Sequence, residues 1–179
     1  MKHRLFIAID LPEATLSEIA ILQSQLEKLA LPLVWEKQPL LILNFLGLAD
    51  PGAITPLIPP FHSFTLSPLY LDTLYSRHDP TILYLSLAKS EELLQLQASV
   101  SSSISSITPQ PRHFLLHISI GKLKRTDPVS TKRAIDIISN QEVPVLSEFL
   151  VDHVTLYKSL LSRTGSTYQK LATFQLSTS

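Results

Sequence analysis

Twice along this chain the apolar residues change from a two-residue period to a helical one, and that double alternation limits the fold more than any single motif does. Residues 5–11 read as a strand closed by Pro12, and 14–29 then carry Leu16, Ile19, Leu22, Leu26 and Leu29 at helical spacing. Pro32 ends that helix. Strands follow over 33–37 and 40–48, separated by Gln38-Pro39, and Asp50-Pro51-Gly52 marks a turn. The second round opens with strands in 64–75 and 81–87 around a polar bend at 76–80. A helix over 91–107 comes next, with Leu93, Leu94, Leu96 and Val100 expected inward. The weak helix propensity of Ser101, Ser102 and Ser103 predicts that its end frays. A strand over 113–124, a helix over 130–138 and closing strands over 145–160 and 168–176 complete the pattern. Two similar halves, each with helices on one side of an antiparallel sheet, predict an α+β bilobal fold. No segment is long enough to act as a linker, so residues 1–179 are expected to form one domain.

The chemistry-bearing residues lie in His117-Ile118-Ser119-Ile120-Gly121-Lys122. On an extended strand His117 and Ser119 share a face, and Ile118 and Ile120 take the other. An imidazole beside a hydroxyl is suited to holding and attacking a phosphate. The corresponding strand of the first half, Leu40 to Gly47, offers Leu40 and Ile42 at the matching inward positions. Neither can move a proton or donate a hydrogen bond. Strict alternation also places Asn44 on that inward face. It turns Lys122 away from His117 unless Gly121 permits a bulge, and a solvated surface lysine is the other reading.

Other histidines are poor substitutes. His62 and His78 fall in loops, while His113 shares parity with His117 but lies ~13 Å away along an extended strand. Trp35 and Tyr157 could stack on a base, yet both sit in apolar strand patterns and read as core.

Composition narrows the partners. With 15 basic and 15 acidic residues the net charge is zero, whereas proteins that grip long nucleic acid carry a basic excess. Contact with nucleic acid should therefore be local, at an RNA end or a nucleotide. Neutrality also leaves room for self-association. The chain has no cysteine, which excludes disulfides, thiolate metal sites and a cysteine nucleophile. The six histidines lack tight metal-ligand spacing. Asp10, Pro12 and Glu13 interrupt the N-terminal apolar run too early for a signal peptide, and no run approaches the ~18 apolar residues of a membrane span. The expectation is a soluble cytoplasmic protein without membrane partners.

Four blocks follow one another in order: the run from Arg4 to Pro12, Val34-Trp35-Glu36-Lys37 leading to Phe45-Leu46-Gly47, then His117-Ile118-Ser119-Ile120, and Leu156-Tyr157-Lys158-Ser159 with Gly165 and Tyr168. Together they resemble the two-histidine phosphoesterases, and within them the RNA 2′,3′-cyclic phosphodiesterases also called 2′-5′ RNA ligases. The family's signature is one His-x-Thr/Ser-x per lobe, the two facing each other across a cleft. Aligned on Phe45-Leu46-Gly47, the first copy falls at 40–43, where this chain has lost both functional side chains. The resemblance implies metal- and cofactor-independent chemistry on a 2′,3′-cyclic phosphate at an RNA 3′ end or on a nucleotide. It assigns His117 and Ser119 to catalysis, and Ser119, Lys122 and Arg112 to the phosphate. It also implies a full helix where residues 51–61 are short and proline-rich, so this lobe is expected to be trimmed. Activity should be impaired. The other reading is a non-catalytic module on the same fold that binds an RNA end, a nucleotide or a protein.

Overall fold

The computed structural model describes residues 1–75, 80–109, 115–163 and 165–178. Its strands are β1 (His3–Asp10), β2 (Leu33–Trp35), β3 (Leu40–Ala49), β4 (Phe64–Leu66), β5 (Pro68–Leu74), β6 (Thr81–Leu87), β7 (Ile118–Leu123), β8 (Phe149–Val151), β9 (His153–Ser162) and β10 (Gly165–Gln175). Its helices are α1 (Glu13–Glu27), α2 (Pro51–Ile54), α3 (Glu91–Ile104) and α4 (Pro128–Ser139). The fold is α+β. One sheet runs β10-β9-β1-β3-β7-β6-β5, with β2 also on β7. Every pairing in it is antiparallel.

The two halves meet where β3 pairs with β7 at the single register position Leu41–Ile118. One face of the sheet is backed by helices. Leu5, Ile7, Ile9, Leu41, Leu43, Ile118 and Ile120 pack there with Ile19, Leu22 and Leu26 of α1, Leu93, Leu96, Val100 and Ile104 of α3, and Ile138 of α4. The other face carries a smaller cluster of Phe6, Ala8, Leu40 and Tyr157, with Ile42 and Tyr168 against it.

Several local expectations shift for tertiary reasons. The segment 64–75 splits into β4 and β5, because β4 leaves the main sheet to pair with β8. The predicted 145–160 strand is likewise divided at Asp152. In α3 the serine-rich stretch stays helical to Ile104, since Val100 and Ile104 are both fully buried and anchor the last turn. Leu94 faces out at 46% exposure, and the buried face of α3 is Leu93, Leu96, Val100 and Ile104. The proline-rich segment forms only the four residues of α2 and a 3-10 turn over Thr55–Leu57.

Candidate active site

Bulges decide which side chains reach the open face of the sheet. Across β1 and β3, Asp10 pairs with Leu40, Ala8 with Ile42, Ile7 with Asn44 and Phe6 with Phe45. Paired residues share a face, so Leu40 and Ile42 point to the open side as alternation requires. Leu43 is then the extra residue of a bulge, and the parity reverses beyond it. Asn44 therefore does not share the face of Leu40 and Ile42, as strict alternation predicted. It is 1% exposed and donates from Nδ2 to Ser101 Oγ of α3 at 2.7 Å. Phe45 takes the open-face position and is 52% exposed. A second irregularity lies between the Phe6–Phe45 and Leu5–Gly47 pairs. There Gly47 has φ 61°, a conformation that favours glycine.

A bulge of the same kind places Lys122. Tyr84 pairs with Ser119 and Leu83 with Gly121, so Ile120 is skipped, and Lys122 comes out opposite Ile82 on the face of Ser119. Gly121 is needed here for space as well. A Cβ on it would come within 3.1 Å of the Trp35 ring and 3.2 Å of the Val34 carbonyl oxygen. Trp35 itself packs against the helix-backed core, as expected of it.

These residues line one cavity of about 290 Å³, formed by Glu36, Gln38, Leu40, Ile42, Phe45, Ile82, His117, Ser119, Lys122 and Tyr168. His117 stands just before β7. Its Nδ1 lies 2.6 Å from the Leu115 carbonyl oxygen. A carbonyl only accepts, so Nδ1 carries the proton and Nε2 is left for a ligand. The Tyr84 ring meets the imidazole edge-on at 5.1 Å between centroids. Burial, followed by the charge of Asp72, raises the Tyr84 hydroxyl above its ordinary pKa, so it stays a neutral donor to Asp72.

Among the described residues Glu36 is the carboxylate of this wall, and the sequence reading did not single it out. A signal was available, because Glu36, Gln38, Leu40 and Ile42 have the same parity. Its amide donates to the Ile120 carbonyl at 3.0 Å, and Gln23 Nε2 donates to both the Glu36 and Ile120 carbonyls. The backbone beside the motif strand is thereby held in place. Tyr168, which belongs to the last of the four resembling blocks, also lines the cavity. Burial, then the Glu36 charge, raises its hydroxyl pKa.

Beside the Leu40 position lies a carboxylate with four donors. Asp10 accepts from Lys170 at 2.8 Å, from His153 and Thr155 at 2.9 Å each, and from the Tyr157 hydroxyl. Burial alone would raise the Asp10 pKa, but these hydrogen bonds outweigh it and hold the carboxyl below its ordinary value. Tyr157, fully buried as its core assignment requires, is pushed well up by burial and by Asp10.

His62 does not line the cavity and bonds Ser177 Oγ instead. Arg112, His78 and His113 lie outside the described residues. Among the described residues, no three His, Cys, Asp or Glu side chains are grouped to ligate a metal. No helix among them is long and apolar enough to cross a membrane.

Comparison with known proteins agrees with the fold. No protein-family model matches the chain. A protein of Methanocaldococcus jannaschii named RNA 2′,3′-cyclic phosphodiesterase is 26% identical over 171 residues, covering 93% of this chain and 96% of that protein. The crystal structure of E. coli LigT complexed with 3′-AMP superposes with a TM-score of 0.76 at 22% identity, over 98% of this chain and 99% of that one. TT0787 of Thermus thermophilus gives 0.75 at 20% identity, over 97% of each.

Proposed function

We propose that this chain, which has the two-histidine phosphoesterase fold and is related to an RNA 2′,3′-cyclic phosphodiesterase over nearly its whole length, opens 2′,3′-cyclic phosphates at RNA ends or on nucleotides. It does so slowly, because one of the two motifs is gone. The observation that carries this reading is the convergence of His117, Ser119 and Lys122 on one cavity whose facing wall is Leu40 and Ile42.

In the reaction a water oxygen bonds to phosphorus as the bond from phosphorus to one ribose oxygen breaks. The water proton must leave, and the departing ribose oxygen must gain one. His117 in its protonated form gives a proton from Nε2 to the leaving oxygen. Glu36, the carboxylate in the same wall, takes the proton from water in place of the missing histidine. Ser119 and Lys122 hold the non-bridging oxygens, where charge accumulates in the transition state.

The test is opening of the cyclic phosphate on a 5′-labelled oligonucleotide by the purified protein. His117→Ala and Glu36→Gln should each lower kcat by about 10²- to 10⁴-fold, with a much smaller change in KM. Full activity in His117→Ala would overturn the assignment. A second reading, binding without turnover, draws on the packing of Leu40 among Phe6, Ala8 and Tyr157, which makes that half of the cavity apolar. An unaltered protein that binds the oligonucleotide but never opens it would establish that reading.

A further inference from the structure

We infer that the open face holds the last two nucleotides of a single-stranded RNA end, with the second one seated between Phe45 and Arg4. This rests on the phosphodiesterase reading above. A second cavity of about 340 Å³ adjoins the first and shares Ile42, Phe45 and Tyr168 with it. Arg4, Ser159 and Ser166 lie in its far wall. The two cavities form one trough with an aromatic partition across it.

The partition is braced from below. Phe6 stacks on Tyr157 at 5.2 Å and 12°, meets Tyr168 edge-on at 5.0 Å and tilts against Phe45 at 6.5 Å. Phe45 leans on this aromatic cluster through Phe6, and it reaches the open face only because the Leu43 bulge reverses the strand's parity. Without the bulge it would join the helix-backed core. A strand that turns a phenylalanine away from its own core and leaves it half exposed presents a stacking surface, and each stacked base tightens binding by about 5-fold or more. The phosphate machinery lies on one side of the partition. On the other, Arg4 makes no ion pair among the described residues and is placed for the phosphodiester that joins the two nucleotides. A cyclic mononucleotide would fill the first cavity and leave Arg4 and the outer side of Phe45 unused.

Calorimetric titration with adenosine 3′-phosphate and with the dinucleotide ApAp, neither of which is a substrate for ring opening, tests this. The dinucleotide should bind at least tenfold more tightly. Phe45→Ala should cut that ratio at least about 5-fold, toward equal binding of the two ligands. Phe45→Leu, which keeps the apolar volume, should cut it too. Arg4→Gln should lower the ratio and flatten the salt dependence of dinucleotide binding by about one phosphate contact. Equal affinity for the two ligands, or a ratio that survives all three substitutions, overturns the inference while leaving the phosphodiesterase reading intact. Binding of neither ligand overturns both.

Discussion

Restoring the lost motif is the sharpest perturbation this structure offers. Leu40 and Ile42 both line the cavity that holds His117 and Ser119, so Leu40→His with Ile42→Thr puts an imidazole and a hydroxyl where the family motif has them. The imidazole should add about 10²- to 10⁴-fold as a general acid or base. One further donor to the developing charge is worth about 10²- to 10³-fold. The two act as a unit, so a combined gain of about 10³-fold, or ~4 kcal/mol of barrier, is expected. The cost falls on stability. Leu40 is 7% exposed among Phe6, Ala8 and Tyr157, and giving up that burial costs about 2–3 kcal/mol. Ile42 is only partly buried and should cost about 1 kcal/mol. A domain with about 5–15 kcal/mol in hand stays folded at 25 °C. The assay is the mobility change of the labelled oligonucleotide under single-turnover conditions, beside circular dichroism of each variant. A folded double variant no faster than the unaltered protein would refute the facing-wall geometry. If Glu36 is the stand-in base, the Glu36→Gln penalty should shrink at least tenfold in the restored background.

Three further predictions concern stability. Asp10→Ala leaves the Tyr157 and Thr155 hydroxyls without their acceptor and should cost about 1–3 kcal/mol by urea unfolding, whereas Asp10→Asn keeps an acceptor and should cost less. Because the carboxyl is held below its ordinary value near ~3.9, the stability it contributes is complete above that pH and drains away as pH falls through the lowered value. The unaltered protein should therefore lose stability below about pH 4 more steeply than Asp10→Asn. Gly121→Ala drives a methyl into Trp35 and should cost about 1–3 kcal/mol, read as a drop in Tm. The same strain should loosen β2 against β7, raising KM for the oligonucleotide through Lys122 and Glu36.

What the sequence determined by itself is what a two-residue period can carry. That His117 and Ser119 share a face, that Leu40 and Ile42 occupy the matching wall, and that helices and antiparallel strands alternate in two rounds all follow from local side-chain direction. Trp35 and Tyr157 were legible as core for the same reason. Period fails wherever a strand carries an extra residue, and nothing local announces that residue. Leu43 and Ile120 look like ordinary strand leucine and isoleucine. Each is accommodated because the helix-backed core buries two successive residues, the side chains of Leu43 and Asn44 in one strand and Ile120 followed by the side-chain-free Gly121 in the other. That choice belongs to packing between distant segments. It sends Asn44 to Ser101 of α3, turns Phe45 out to the open face and brings Lys122 to the cavity. The departure of β4 and β8 into their own pair and the persistence of α3 through its serines have the same origin. Local preference of a few tenths of a kcal/mol per residue yields to the burial of whole side chains, each worth about 1.5–3 kcal/mol.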